Sequence, residues 1–198
     1  MKTALIIFVR KPELGKVKTR LAATLGDDTA LEIYKELLQH THNIALKTTA
    51  DRFVFYYSQI DTDDIWNQNN FIKKLQADAD LGTKMNDAFT QIFGEGYENV
   101  MIIGSDCFEL TTEIISNAFE QLNKNDVVIG PANDGGYYLL GMKKLYPQLF
   151  ENKQWSTADV YQQTIADFEK EHIKYHALVT LRDVDTEEDW LATKNSLS

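Results

Sequence analysis

The chain has 198 residues, 43% of them apolar and 25% charged, the proportions of a globular protein able to build its own core. A formal charge of −10 at pH 7 argues against a nucleic-acid or anionic-membrane partner, since either needs a broad basic face. A single cysteine, Cys107, rules out an intramolecular disulfide and fits a reducing compartment. No apolar stretch reaches membrane-spanning length and no signal-peptide pattern opens the chain, so a cytoplasmic location without a membrane span is expected.

Residues 4–9 form an apolar run of buried-strand length. A loop punctuated by Pro12 and Gly15 follows, carrying Arg10, Lys11, Lys16, Lys18 and Arg20. Five of the chain's 20 Lys and Arg residues thus fall within eleven positions. A cationic, glycine-containing loop past a strand's carboxyl end is where open α/β sheets bind ligands, and a polyphosphate is its natural partner. Asp27 and Asp28 then cap a helix with Leu31, Tyr34, Leu37, Leu38, Ile44 and Ala45 at helical spacing. Residues 52–58 read as a second strand, 61–70 as a polar stretch containing Trp66, and 71–76 as a short strand. Gly82 opens a helix with Met85, Phe89, Ile92 and Phe93 on one face, ended near Gly94 and Gly96.

The second half continues the alternation. Strands are predicted at 99–104, 126–130, 137–142 and 174–181, and helices at 111–124, 156–172 and 186–197. Ser156 with Asp159, and Thr186 with Asp189, have capping-box spacing. Residues 131–136 form a turn between adjacent strands, which inserts one antiparallel element. The prediction is one α/β domain over residues 1–198: a mixed, mostly parallel sheet with helices on both faces.

Three constellations near strand ends can carry chemistry. Asp106 follows an apolar strand and suits a hard cation such as Mg2+, or caps the next helix. Asp134-Gly135-Gly136-Tyr137 can bring backbone close to a ligand, with Asp134 on a sugar hydroxyl or a nucleophile, or be an ordinary hairpin turn. Asp183 and Asp185, at alternate positions, can hold a metal or form the acidic start of the last helix. Trp155 can stack on a base or sugar, or pack in the core. There is no P-loop, no GxGxxG and no zinc pattern among the four histidines; Cys107 reads as a small packing residue.

These stretches, FVRKP at 8–12 with GKVKTRL at 15–21, GSDC at 104–107, GPANDGGYYLLG at 130–141, WST at 155–157 and DVDT at 183–186, resemble a known pattern. It is that of a bacterial family assigned as GT-A-type glycosyltransferases, the selenodomain-associated transferases or domain of unknown function 2064. Val9 and Phe108 depart from it, the latter where the family usually has proline. The resemblance implies a GT-A-like, Rossmann-like fold of the nucleotide-diphospho-sugar transferase superfamily. It implies a nucleotide site at Arg10, Lys11, Gly15, Lys16, Lys18, Thr19 and Arg20, with Gly82 and Asp106 on the same ligand. Asp106 and Asp185 would hold Mg2+ or Mn2+. Asp134, Gly135, Gly136, Tyr137, Trp155 and Ser156 would line the acceptor or sugar pocket, and Lys18, Asp106 and Asp134 would be catalytic. The implied reaction is glycosyl transfer from a nucleotide sugar to an unknown acceptor. The alternative is nucleotidyl transfer from an NTP to a small phosphorylated acceptor, as in guanylyltransferases; only that reaction releases pyrophosphate. A nucleotide-sensing domain without turnover is a third reading.

Overall fold

The computed structural model describes residues 2–66 and 70–196. Strand β1, Thr3–Val9, lies inside the sheet with β2, Asp51–Tyr56, and β4, Asn99–Ile103, parallel to it on either side. A strand paired at both edges and covered on both faces is apolar at nearly every position, which is why its sequence does not alternate. Leu5, Ile7 and Val9 face one core with α2, Asp27–Leu46, and α4, Thr112–Leu122. Ala4 and Ile6 face the other, with α3, Leu81–Gly94, and α5, Val160–Lys170.

The seven-stranded sheet has the order β3-β2-β1-β4-β6-β5-β7, with β3 at Ile72–Leu75, β5 at Val127–Pro131, β6 at Tyr137–Met142 and β7 at Tyr175–Ala177. Only β6 is antiparallel to its neighbours. The mixed, mostly parallel sheet with helices on both faces is therefore as expected. The chain runs from β1 outward through β2 and β3, then crosses to the other side of β1 for β4. That reversal is the switch point at which such sheets open a crevice. Because β6 runs backwards, its amino end meets the carboxyl ends of the parallel strands, which delivers the 132–136 turn to the same edge.

Several local expectations change. The basic stretch is not loop throughout: α1, Thr19–Leu25, begins inside it, held by Leu21 against Ala30, Ile33, Leu37 and Val184. Asp27 and Asp28 lie inside the first turn of α2 after Gly26, where they complement the helix dipole without capping a backbone N–H. Asp80 and Thr111 are the caps of α3 and α4. The Ser156–Asp159 box does not form: Ser156 has φ 63°, and α5 begins only at Val160. The Thr186–Asp189 box does form, with the Thr186 N–H donating to Asp189 Oδ2 at 2.9 Å and the Asp189 N–H to Thr186 Oγ1 at 3.3 Å. It opens α6, Glu187–Ser196; Leu197 lies outside the described residues, as do 67–69 of the polar stretch. The last strand shrinks to three residues, after which 178–181 stays tied to β5 by the Leu178 N–H to the Ile129 carbonyl at 2.9 Å, the Leu181 N–H to the Pro131 carbonyl at 3.1 Å and an Ala132–Leu181 bridge. No helix of the described residues is long and apolar enough to cross a membrane.

Phe108, the departure from the family's proline, stacks on His40 of α2 at 4.5 Å and meets Trp190 of α6 at 6.1 Å, joining the two helices.

The turn before β6 is seated by Gly135. Its φ is +87°, a Cβ there would lie 2.0 Å from the Ala158 carbonyl oxygen, and its own carbonyl accepts from the Tyr161 N–H at 2.8 Å. Gly135→Ala combines backbone strain with a backbone clash and should cost roughly 2–6 kcal/mol in urea unfolding. Gly96→Ala has similar φ, +83°, but open space around it, and should cost only about 1–2 kcal/mol.

Candidate functional site

A cavity of about 830 Å³ runs along the carboxyl edge of the sheet. Each strand end contributes: Arg10 and Lys18 follow β1, Tyr57 follows β2, Asp106 follows β4, Asp134 lies between β5 and β6, and Asp183 and Asp185 follow β7. Tyr34 of α2 sets where the basic stretch leaves the sheet. Its hydroxyl donates to the Arg10 carbonyl at 3.0 Å and accepts from the Arg10 N–H at 2.9 Å. Burial, then the nearby Asp106 charge, pushes that phenol up to about 12, so it stays protonated and keeps both bonds.

Lys18 is the centre of the acidic side. Its backbone is left-handed, φ 47° and ψ 46°, a conformation that costs a non-glycine residue about 1–3 kcal/mol. The side chain is 6% exposed, and its Nζ lies 3.0 Å from Asp106 Oδ1 and 3.0 Å from Asp185 Oδ1. Burial alone would lower its proton affinity; the charges of Asp106 and Asp185 outweigh it and hold the ammonium above its ordinary value. Arg20 adds a looser contact, 3.9 Å from Asp185 Oδ2. The 183–185 segment is tied here by the Val184 N–H, which donates to the Asp106 carbonyl at 2.9 Å. Among the described residues Asp183 forms no such ion pair, and the Lys18 charge is outweighed there. Burial, then the charges of Asp106 and Asp134, pushes its carboxyl up to about 7. Cys107 is buried, and burial pushes its thiol far up, in keeping with a packing role.

The donors fit a hard divalent cation. Asp106 and Asp185 already converge on one positive charge, and their side chains are 43% and 41% exposed toward the cavity. Among the described residues no ready-made cage of three or more ligating side chains exists. Two carboxylates completed by a substrate's phosphates are how Mg2+ is commonly held.

The structure brings most of the expected residues together. Arg10, Lys16, Lys18, Thr19 and Arg20 line the cavity with Asp106 and Asp185, as do Asp134, Gly136, Tyr137, Trp155 and Ser156. Four do not. Lys11 turns to Asp61 at 3.2 Å, and Gly15 lies beside the Asp27 carboxylate. Gly82 is covered by the Trp155 indole, which a Cβ would strike at 2.4 Å, so its smallness admits Trp155. Gly135 is taken up by Ala158. Asp106 caps no helix, since Thr111 does. Asp134 is both turn and wall: its Oδ1 accepts from the Gly136 N–H at 2.8 Å. Sequence reasoning passed over Tyr57 and Lys84. The signal for Lys84 was present: it shares a helical stripe with the buried Ala88 and Ile92, where a charge is out of place.

Asp183 generates a pH dependence. Between about pH 4 and 7 the unfolded chain has released this proton while the folded one keeps it, so stability falls as pH rises through that window. Asp183→Asn removes the penalty. In metal-free buffer its thermal midpoint should match the parent near pH 4 and exceed it at pH 8, by up to roughly 4 kcal/mol in stability.

With this geometry established, comparison with known proteins gives a consistent placement. A family model described as "Uncharacterized protein conserved in bacteria (DUF2064)" matches residues 40–157. The crystal structure of a protein provisionally named a nucleotide-diphospho-sugar transferase, from Desulfovibrio desulfuricans G20, is 33% identical. It superimposes with a TM-score of 0.86 over 94% of this chain and 84% of its own. The fold alone is shared with Rv0371c of Mycobacterium tuberculosis H37Rv in complex with manganese: 10% identity, TM-score 0.61, 99% of this chain and 100% of that one. It is likewise shared with a CMP:2-keto-3-deoxy-manno-octonic acid synthetase in complex with CTP: 9% identity, TM-score 0.60, 100% and 98% covered. No curated protein sequence matches the chain. The chain belongs to the DUF2064 family, transferases within the nucleotide-diphospho-sugar transferase superfamily.

Proposed function

We propose that the chain, acting as one domain, transfers a glycosyl group from a nucleotide-diphospho-sugar to an acceptor hydroxyl, with Mg2+ or Mn2+ held by Asp106 and Asp185. The observation that carries this reading is the convergence of these two carboxylates, from distant parts of the chain, on one cation at the carboxyl edge of the sheet. The name of the 33%-identical relative and the manganese bound by a protein of the same fold support it. When bound, the metal offsets charge on the departing diphosphate.

The residues then divide the work. Lys18 and Arg20 hold phosphate oxygens and stabilise the nucleoside diphosphate as its bond to the sugar's anomeric carbon breaks. Asp134 orients a hydroxyl from the turn. The acceptor oxygen bonds to the anomeric carbon, and its proton passes to Asp183, whose affinity near neutrality suits a proton acceptor at working pH. Trp155, half-buried over Gly82, offers a flat wall for a sugar or base.

Nucleotidyl transfer from an NTP is the second reading, favoured by the CTP complex of a protein with this fold. Calorimetry with a panel of nucleotide sugars and nucleoside triphosphates, with and without Mg2+, tests both. The expected result is one nucleotide sugar bound only with metal, the binding lost in Asp106→Asn and weakened by roughly 1–3 kcal/mol in Lys18→Ala. Unchanged metal-dependent binding in Asp106→Asn would remove the metal assignment. Pyrophosphate assays separate the two chemistries: glycosyl transfer yields none, and stoichiometric pyrophosphate from a triphosphate would establish the second reading.

A further inference from the structure

Lys18, the most deeply placed cation of the basic stretch, is matched by Asp106 and Asp185. Lys16 pairs with Glu13 at 2.8 Å and Lys11 with Asp61. Arg10 and Lys84 differ. Neither forms an ion pair with a carboxylate of the described residues, and both lie over one aromatic ring. The Arg10 guanidinium carbon is 4.4 Å from the Tyr57 ring centroid and Lys84 Nζ is 3.9 Å from it. The Tyr57 N–H donates to the Val9 carbonyl at 3.0 Å, which sets the ring beside Arg10 where β1 and β2 end together. Lys84, on the first turn of α3, is only 7% exposed, yet its residue lines the cavity. Two like charges held on one ring repel. An anion in the cavity between them relieves that cost.

The sheet order makes this a separate place. Asp106 follows β4, Asp134 lies between β5 and β6, and Asp183 and Asp185 follow β7, all on one side of β1; Tyr57 follows β2, on the other. We propose that Arg10, Tyr57 and Lys84 form a second, metal-independent anion subsite of the cavity, which takes a phosphate group of a substrate. The inference rests on the transferase reading of the cavity and assigns Lys84 and Tyr57 to substrate binding. The phosphate belongs either to the donor nucleotide or to the acceptor; the chemistry is the same.

The test is titration of inorganic phosphate, pyrophosphate and a panel of nucleoside diphosphates into EDTA-treated protein, read by calorimetry and by thermal midpoint. The parent should bind phosphate or pyrophosphate without metal. Lys84→Met, which keeps the packed stem, and Arg10→Gln should each weaken that binding about tenfold or more, while Lys84→Arg retains it. Asp106→Asn, which should abolish metal-dependent nucleotide binding, should leave metal-free phosphate binding intact. Failure of the metal reading and failure of this one are therefore distinguishable. In a parallel titration with Mg2+, loss of nucleoside diphosphate binding in Lys84→Met assigns the phosphate to the donor. Loss confined to phosphate and pyrophosphate, with metal-dependent nucleotide binding unchanged, assigns it to the acceptor. A parent that ignores both inorganic anions, or a Lys84→Met protein that binds them as the parent does, overturns the proposal.

Discussion

One buried ammonium ties this protein's cavity together. Lys18 bridges Asp106 and Asp185, from the segments after β4 and β7, and so pins three distant stretches at one point. Breaking such a bridge leaves uncompensated charge in a poorly solvated place, which costs far more than an exposed ion pair is worth. The strained backbone of Lys18 is tolerable because the two carboxylates hold its side chain where it is. Asp183 lies beside the same group: burial and the charges of Asp106 and Asp134 outweigh the pull of Lys18, so that carboxyl keeps its proton up to about neutrality.

Topology decides which groups can meet there. A wholly parallel sheet would carry every crossover away from the site and back. Inserting the reversed β6 between β4 and β5 instead lets a five-residue turn, 132–136, stand at the reactive edge. The turn is then locked from outside by close packing of Gly135 on Ala158, and the same outer segment presents Trp155 over Gly82. Two of the glycines in the site therefore serve as contact points between walls of the cavity rather than as contact points for a ligand.

The cavity is electrostatically divided. Its acidic side gathers four aspartates and the lysine that partly neutralises them; its other side carries two cations on a tyrosine ring. In a chain of net charge −10, two cations gathered on one ring without carboxylate partners among the described residues make a local positive patch in a concave site, the feature on which the proposed phosphate subsite rests.

Much of this was legible in the amino-acid order. The stretches 4–9, 99–104 and 126–130 read as buried strands, and their carboxyl ends, with the cationic stretch and Asp106, as the place where a crevice opens, because local hydrophobic pattern and chain direction suffice for that. The Thr186–Asp189 cap was equally readable, being a contact between near neighbours. The failures were of another kind. Helix α1 is too short to show its period and exists because Leu21 finds Val184, 163 positions away. The Ser156 box had the right spacing but lost to packing of its segment against Gly135. Which cations lack carboxylate partners is decided by what folding sets beside them: Lys18, expected at a nucleotide's phosphates, is also bridged to two aspartates, while Lys84, passed over in the sequence reading, sits buried on Tyr57.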